Sequence, residues 1–175
     1  MAGKRRPKKL DEARAELLRV WADLGPAWGV NRTMSQIHAL MMVTRDPMNT
    51  DEIMAELDIS RGNAHKNVKE LLDWGLLKRV PVKGELKVYF VAEKDVWKVV
   101  QIITRERKRK ELQPVLEVLD DCLVRTSGLR DAESRAFRAQ VSDLKEFADM
   151  ADGVMERVER RSSGTIVRWV MRLLK

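Results

Sequence analysis

The sequence has very little of the chemistry on which most enzymes and metal proteins depend. It contains one cysteine, Cys122, which excludes an internal disulfide and a zinc site built from several cysteines. Neither of its two histidines stands near an obvious nucleophile, no second metal ligand accompanies His38 at metal-ligand spacing, and there is no glycine-rich phosphate loop. We therefore expect no enzyme, no metal and no cofactor.

Long apolar runs are also missing. No segment has the length and apolarity needed to span a membrane. The N-terminus MAGKRRPKKL is basic, but the charged DEARAE follows it where a secretory signal would have an apolar stretch. Together with the lone cysteine, these absences predict a soluble cytoplasmic protein without a membrane partner.

Positive charge is what the sequence has in excess. Its 34 lysines and arginines against 27 acidic residues give a formal net charge of +7, which favours a polyanionic partner wherever the charge is concentrated. Residues 1–9 include KRRPKK and predict a disordered arm, which is either a solvated tail or a segment that touches phosphates. The run RERKRK at 105–110 is either a solvated stretch of helix or a second DNA contact.

The clearest pattern lies between Asn49 and Trp74, where two short amphipathic helices meet at a sharp turn. Asn49 and Glu52 have the spacing of a capping box, and Ser60 can cap the second helix. Asp58 stands where the chain must turn, and aspartate tolerates the left-handed backbone conformation. The pattern is typical of a helix-turn-helix, whose second helix enters the DNA major groove.

The second helix is predicted from about Arg61 to Trp74, with Gly75 as its stop. Its cations, including Lys66 and Lys69, are predicted on the face away from the core, where they contact either DNA or only solvent. Gly62 in the first turn indicates a close approach of a phosphate or a fraying helix end. His65 lies at the flank of the exposed face, within reach of a phosphate or of water alone.

A basic β-hairpin is predicted to follow the second helix. The runs 76–82 and 86–92 alternate in polarity around a tip that contains Gly84, and Pro81 places the first run at a sheet edge. A helix-turn-helix followed by such a hairpin predicts a winged helix, with the wing along the phosphate backbone or minor groove. The basic residues of the wing are Lys78, Arg79, Lys83 and Lys87.

Two helices are predicted before the helix-turn-helix. The first begins at Leu10, and Gly25 with Pro26 should stop it. The second should begin at Thr33, which forms a capping box with Gln36.

From residue 94 onward the sequence predicts long helices. The first, over about 95–124, should be kinked or broken at Pro114, and the second spans about 129–161. The second helix carries apolar residues at alternating steps of four and three, a seam that requires a partner helix. A last short helix includes Trp169. It either lies on a membrane surface or packs within a dimer, and we favour packing within a dimer. The predicted dimerisation residues are Phe137, Val141, Leu144, Ala148, Ala151, Met155, Val158 and Trp169.

The residues between Trp21 and Leu119 resemble a known family. The segments ISRGNAHKNVKEL, DWGL and VKGELKVYF resemble the winged helix of the GbsR-like branch of the MarR transcriptional regulators. Two flanking segments, LGPAWGVNRTMSQIHALM and ITRERKRKELQPVLEVL, are similar to that branch too. The resemblance implies a homodimeric DNA-binding repressor or activator that uses 60–72 as its recognition helix. By position it assigns DNA contacts to Ser60, Arg61, Gly62, Asn63 and Asn67.

This chain has AHK at 64–66 where relatives often have a small apolar residue, serine and methionine, so the operator sequence stays open. Some relatives in this branch respond to choline-like quaternary ammonium compounds, which an aromatic cage can bind. Trp21, Trp28 and Trp97 are the candidate cage, although core packing explains each ring as well. Choline titration followed by tryptophan fluorescence would contradict the cage if the signal did not change.

These patterns together predict a mainly α-helical protein. Its parts are a basic arm at 1–9, a winged helix-turn-helix DNA-binding domain at 10–93 and a helical dimerisation region at 94–175. The expected function is sequence-specific binding of double-stranded DNA in transcription regulation; the alternative is an interaction module for RNA or protein. The predicted DNA contacts are Ser60, Arg61, Gly62, Asn63, His65, Lys66, Asn67, Lys69, Arg79, Lys83 and Lys87.

Overall fold

The computed structural model describes residues 7–27 and 29–160. Most of the predicted basic arm, Trp28, and the last short helix with Trp169 therefore lie outside the described residues. The chain divides into two units, with the boundary between Asp95 and Val96. The sequence predicted a boundary after residue 93.

In its described residues, the N-terminal unit combines four helices with a small antiparallel sheet in the strand order β1-β3-β2. Its elements are α1 (Lys8–Ala27), α2 (Arg32–Val43), β1 (Met48–Asn49), α3 (Thr50–Leu57), α4 (Arg61–Trp74), β2 (Leu77–Val80) and β3 (Tyr89–Ala92). The two-residue strand β1 was not predicted; Met48 pairs with Phe90 of the central strand. Strand β2 is an edge strand of this sheet, as Pro81 indicated.

The sequence misplaced the end of α1 and the start of α2. Helix α1 continues through Gly25 to Ala27. Gly25 is buried against α2, where a Cβ atom would overlap the side chain of Ser35. The glycine therefore permits close helix packing and does not stop the helix. The predicted capping box at Thr33 is wrong, because Asn31 caps α2. The Asn31 side chain accepts hydrogen bonds from the backbone amides of Thr33 and Met34, at 2.9 and 3.2 Å.

The core of the N-terminal unit lies between α2, α3, α4 and the sheet. Its fully buried side chains come from every one of these elements, so the helix-turn-helix is part of the core and not an appendage. They include Ile37, Leu40, Ile53, Leu71 and Leu77.

Lys94 fixes the end of α2 to the segment that follows β3. Its ammonium group donates hydrogen bonds to the carbonyl oxygens of Met41, Met42 and Thr44, at 2.5, 2.9 and 2.6 Å. The last carbonyl groups of a helix have no partner within the helix, and a cation satisfies them. Lys94 thereby connects the last residues of the N-terminal unit to the end of α2.

The C-terminal unit is helical in its described part. It consists of α5 (Val96–Arg107), a π-helical segment (Lys108–Leu112), α6 (Gln113–Thr126) and α7 (Ala132–Arg160). The helix is not broken at Pro114: the backbone stays helical from α5 through the π-helical segment into α6, and Pro114 lies in the first turn of α6. Helix α7 packs against α5 and α6.

The described residues of the predicted seam on α7 differ in burial, and Ala151, Met155 and Val158 are half-buried. Val141 and Ala148 are buried within the unit, while Phe137 and Leu144 remain 45% and 49% exposed. In the described part of the chain, no helix combines the length and the apolarity that crossing a membrane requires.

His38 on α2 generates a prediction for stability. Burial first, and the nearby charge of Lys94 second, lower its pKa from 6.5 to about 4. The unfolded chain therefore binds a proton before the folded protein does. The free energy of unfolding should consequently decrease as the pH falls from about 6.5 to about 4, by up to roughly 3 kcal/mol.

Denaturant unfolding between pH 4 and pH 7 measures this dependence. His38→Gln should flatten it. Identical pH dependence in wild type and His38→Gln would contradict the assignment.

Candidate nucleic-acid interface

The turn between α3 and α4 has the local geometry that the sequence predicted. The Asn49 side chain accepts from the Glu52 amide at 3.1 Å, and the Glu52 carboxylate accepts from the Asn49 amide at 2.8 Å, so the capping box is confirmed. Asp58 adopts the left-handed conformation at φ 51°, and the Ser60 hydroxyl accepts from the Asn63 amide. These bonds set the direction in which α4 leaves the turn.

Helix α4 presents two faces of different character. Ala64, Val68 and Leu71 are buried, and the helix packs through them against α2 and α3. Between these positions, His65, Lys66 and Lys69 are exposed. The predicted contacts exposed on or next to α4 are Ser60, Arg61, Gly62, Asn63, His65, Lys66 and Lys69.

Asn67 is placed differently from the other predicted contacts. Its side chain is only 1% exposed, because it falls on the same face of α4 as Ala64 and Val68. Its amide group donates to the backbone and side-chain oxygens of Asn63, both at 2.8 Å. Asn67 thus holds Asn63 through two hydrogen bonds, and its own buried side chain cannot contact DNA at the surface.

Asn63 is held from a second side as well. Its amide nitrogen donates to the Thr33 hydroxyl on α2 at 3.0 Å. Two hydrogen-bonded neighbours restrict the rotamers of Asn63 while its side chain stays exposed. A polar group fixed in this way is suited to reading one base edge, since its orientation is set before binding.

Gly62 occupies the exposed first turn of α4. A Cβ atom built at this position meets no atom of the protein within 4 Å, so packing within the chain does not require glycine there. The φ angle of Gly62 is not positive either. Neither internal packing nor backbone conformation therefore requires glycine at position 62, and the exposed backbone there is open to close approach by an external group.

The wing is longer and less regular than predicted. Strand β2 ends at Val80, and β3 starts at its pairing partner Tyr89. An eight-residue loop at 81–88 therefore replaces the predicted three-residue tip. Pro81 ends β2 because it cannot donate a backbone hydrogen bond. Arg79, Lys83 and Lys87 are exposed on this hairpin.

Leu86 on the wing is a residue that the sequence interpretation missed. It is fully exposed, and Val88 beyond it is more than half exposed. The alternating pattern had assigned both to a strand with a buried face. Large apolar side chains at the tip of a basic wing are of the type that contacts sugar and base surfaces in a minor groove.

Asp51 on α3 is the second residue that was missed. Its carboxylate accepts from Lys87 of the wing at 2.9 Å and pairs with Arg61 of α4 at 3.3 Å. The hydrogen bond with Lys87 is the main cause that lowers the pKa of Asp51, and the same bond raises the pKa of Lys87. No local pattern could reveal a contact between residues this far apart in the sequence.

The basic run at 105–110 is used largely inside the C-terminal unit. Arg107 pairs with Glu111 at 3.2 Å, and Lys108 pairs with Asp152 of α7 at 3.0 Å. Arg109 pairs with the buried Glu106 at 2.6 Å. These partners favour the structural interpretation of the run over a second DNA contact.

The structure does not bring the three tryptophans of the predicted aromatic cage together within one unit. Trp21 lies on α1 in the N-terminal unit, Trp97 lies on α5 in the C-terminal unit, and Trp28 is outside the described residues. The cage therefore stays a prediction. Among the described residues, no cluster of histidine, cysteine and carboxylate side chains is arranged to hold a metal ion.

Comparison with known proteins finds one family that is similar to part of the N-terminal unit. The model of the MarR family matches residues 28–85, which contain the helix-turn-helix and most of the wing. Residues 28–85 are therefore similar to the MarR family. This match and the relative described next confirm the resemblance to GbsR-like MarR proteins.

The chain is also similar to a named relative and to a solved structure. The HTH-type transcriptional repressor GbsR of Bacillus subtilis (strain 168) is 27% identical over 112 residues, 64% of this chain. The match spans 62% of the length of GbsR. The crystal structure of a transcriptional regulator superposes with a TM-score of 0.59 at 16% identity, over 85% of this chain and 99% of that one. Together these findings confirm the predicted fold class, a mainly helical winged helix.

Gly62 generates a test of the candidate interface. Gly62→Ala should raise the free energy of unfolding by about 0.5–1 kcal/mol, because alanine favours helix. The same change should weaken binding to duplex DNA if a phosphate approaches the backbone there. Calorimetry and fluorescence anisotropy measure the two effects.

Gly153→Ala is the matched control for this prediction. Gly153 also lies within a helix with open space around its Cβ position, but on α7. It should raise stability without changing DNA affinity. Equal DNA affinity of Gly62→Ala and wild type would contradict close approach at Gly62.

Proposed function

We propose that this chain is a transcriptional regulator that binds double-stranded DNA sequence-specifically and acts as a repressor. The observation that carries the proposal is the exposed polar and cationic face of α4, which a capped turn holds opposite the core. Helix α4 lies in the major groove, and the wing follows the phosphate backbone. The repressor role is taken from the similarity to GbsR, which is a repressor.

The residues of the interface divide by chemistry. Asn63, His65 and Lys66 lie along the exposed side of α4 and contact base edges or the phosphates beside them. Arg79 and Lys83 on the hairpin contact phosphates, which fix position but carry no sequence information. Asn67 acts indirectly, by holding Asn63.

The functional form that we propose is a homodimer. The exposed residues Phe137 and Leu144 share α7 with other exposed apolar side chains, Phe147, Met150 and Val154. Such a contiguous apolar surface needs a partner, whereas Val141 and Ala148 already pack within the chain. A twofold dimer presents two copies of α4 to a pseudo-palindromic site, with centres about one turn, roughly 10 bp, or a multiple apart.

The proposed function predicts that two lysines affect DNA binding differently. Genomic fragments enriched by the protein supply the specific site, and anisotropy at several salt concentrations gives its affinity beside that of random duplex. Lys66→Ala should weaken binding to the specific site by about tenfold or more and random duplex by less. Lys83→Ala should weaken both equally and reduce the salt slope by about one.

A wild-type protein that binds every fragment like random duplex would contradict the regulator and favour an RNA- or protein-binding module. A protein that binds specifically but loses nothing with Lys66→Ala would remove this residue from the interface.

The dimer generates a separate prediction. Leu144→Asp should convert the dimer to monomers, because a carboxylate would be buried in an apolar interface without a partner. Sedimentation velocity measures the change. Glu146→Asp, at an exposed position of the same helix, is the control and should stay dimeric; a dimeric Leu144→Asp would refute this surface as the interface.

A further inference from the structure

Asp51 is an exposed carboxylate that connects three parts of the proposed interface. It belongs to the first turn of α3, its Oδ2 atom lies 2.9 Å from the Lys87 ammonium group, and its Oδ1 atom lies 3.3 Å from the Arg61 guanidinium group. Lys87 belongs to the wing and Arg61 to the start of α4. A single acidic side chain therefore joins α3, α4 and the wing.

Both cations keep most of their capacity for another anion. The Arg61 side chain is 70% exposed and the Lys87 side chain 58% exposed. A guanidinium group has five N–H donors and an ammonium group three, and each contacts Asp51 through one nitrogen atom. Asp51 can therefore hold both side chains while their remaining donors bind phosphates.

The same carboxylate opposes DNA binding in general. Its pKa is lowered chiefly by the hydrogen bond with Lys87 and further by the charges of Lys87, Arg61 and His65, so Asp51 is ionised at neutral pH. A negative charge between two cations reduces the attraction that this surface exerts on any phosphate. At this position the carboxylate limits the positions that the Lys87 side chain can adopt.

We propose that Asp51 is a positioning residue that determines DNA specificity, by holding Lys87 of the wing and Arg61 of α4 in one arrangement. The inference rests on the proposed function and adds a residue that does not itself contact DNA. Phosphates that fit this arrangement bind both cations at once. Phosphates of a poorly fitting duplex must compete with Asp51 for each of them.

Asp51→Asn tests the proposal, with affinities for the specific fragment and for random duplex measured over a range of salt concentrations. Binding to random duplex should tighten by about threefold or more, since two cations are released. The salt slope on random duplex should steepen by about one to two. Affinity for the specific fragment should rise less or fall, so the ratio of specific to random affinity decreases.

Two further variants separate positioning from charge. Asp73→Asn removes the same charge from an exposed residue at the other end of α4 and should change both affinities equally, which preserves the ratio. Lys87→Gln removes the partner, and in that background Asp51→Asn should alter the ratio much less. Thermal unfolding of each variant establishes that the fold is retained.

The outcomes are distinguishable. A specific wild type whose ratio is unchanged by Asp51→Asn, or changed no more than by Asp73→Asn, overturns the positioning role alone. An equal effect of Asp51→Asn with and without Lys87 overturns the proposed route through the wing. A wild type without any specific excess removes the proposed function, and this inference falls with it.

Discussion

The burial of one face of α4 is the constraint on which the rest of the proposed site depends. Ala64, Val68 and Leu71 are fixed in the core, so the helix cannot rotate without exposing apolar surface to water. Burial of these three positions leaves Asn63 and Lys66 on the outside. The interface is therefore a consequence of packing, and its polar residues occupy the positions that the core does not use.

Positive charge is distributed over the whole chain, and ion pairs engage part of it. In the C-terminal unit, carboxylates on the same and neighbouring helices pair with Arg107, Lys108 and Arg109. In the N-terminal unit, Asp51 is shared between Lys87 and Arg61, which both remain more than half exposed. Net charge thus identifies the class of partner, whereas pairing decides which cations can meet it.

Local patterns predicted the helix-turn-helix well, because its boundaries depend on hydrogen bonds between residues at most a few positions apart. The Asn49–Glu52 capping box, the left-handed Asp58 and the Ser60 cap are of this kind. The same reasoning failed at Gly25 and Thr33. Gly25 looked like a helix stop, but its reason is the approach of Ser35 on another helix. At Thr33 two plausible caps stood close together, and Asn31 formed the bonds.

The sequence by itself determined the mainly helical winged fold and the polar composition of α4, through apolar spacing and capping residues that act within one or two helical turns. The tertiary structure alone decided that Asn67 is buried, that Leu86 projects from a long wing loop and that Asp51 joins Lys87 to Arg61. The physical reason is range. Asp51 and Lys87 are 36 positions apart, and the pairing of β3 with β1, the strand that leads into α3, brings the carboxylate and the ammonium group to 2.9 Å.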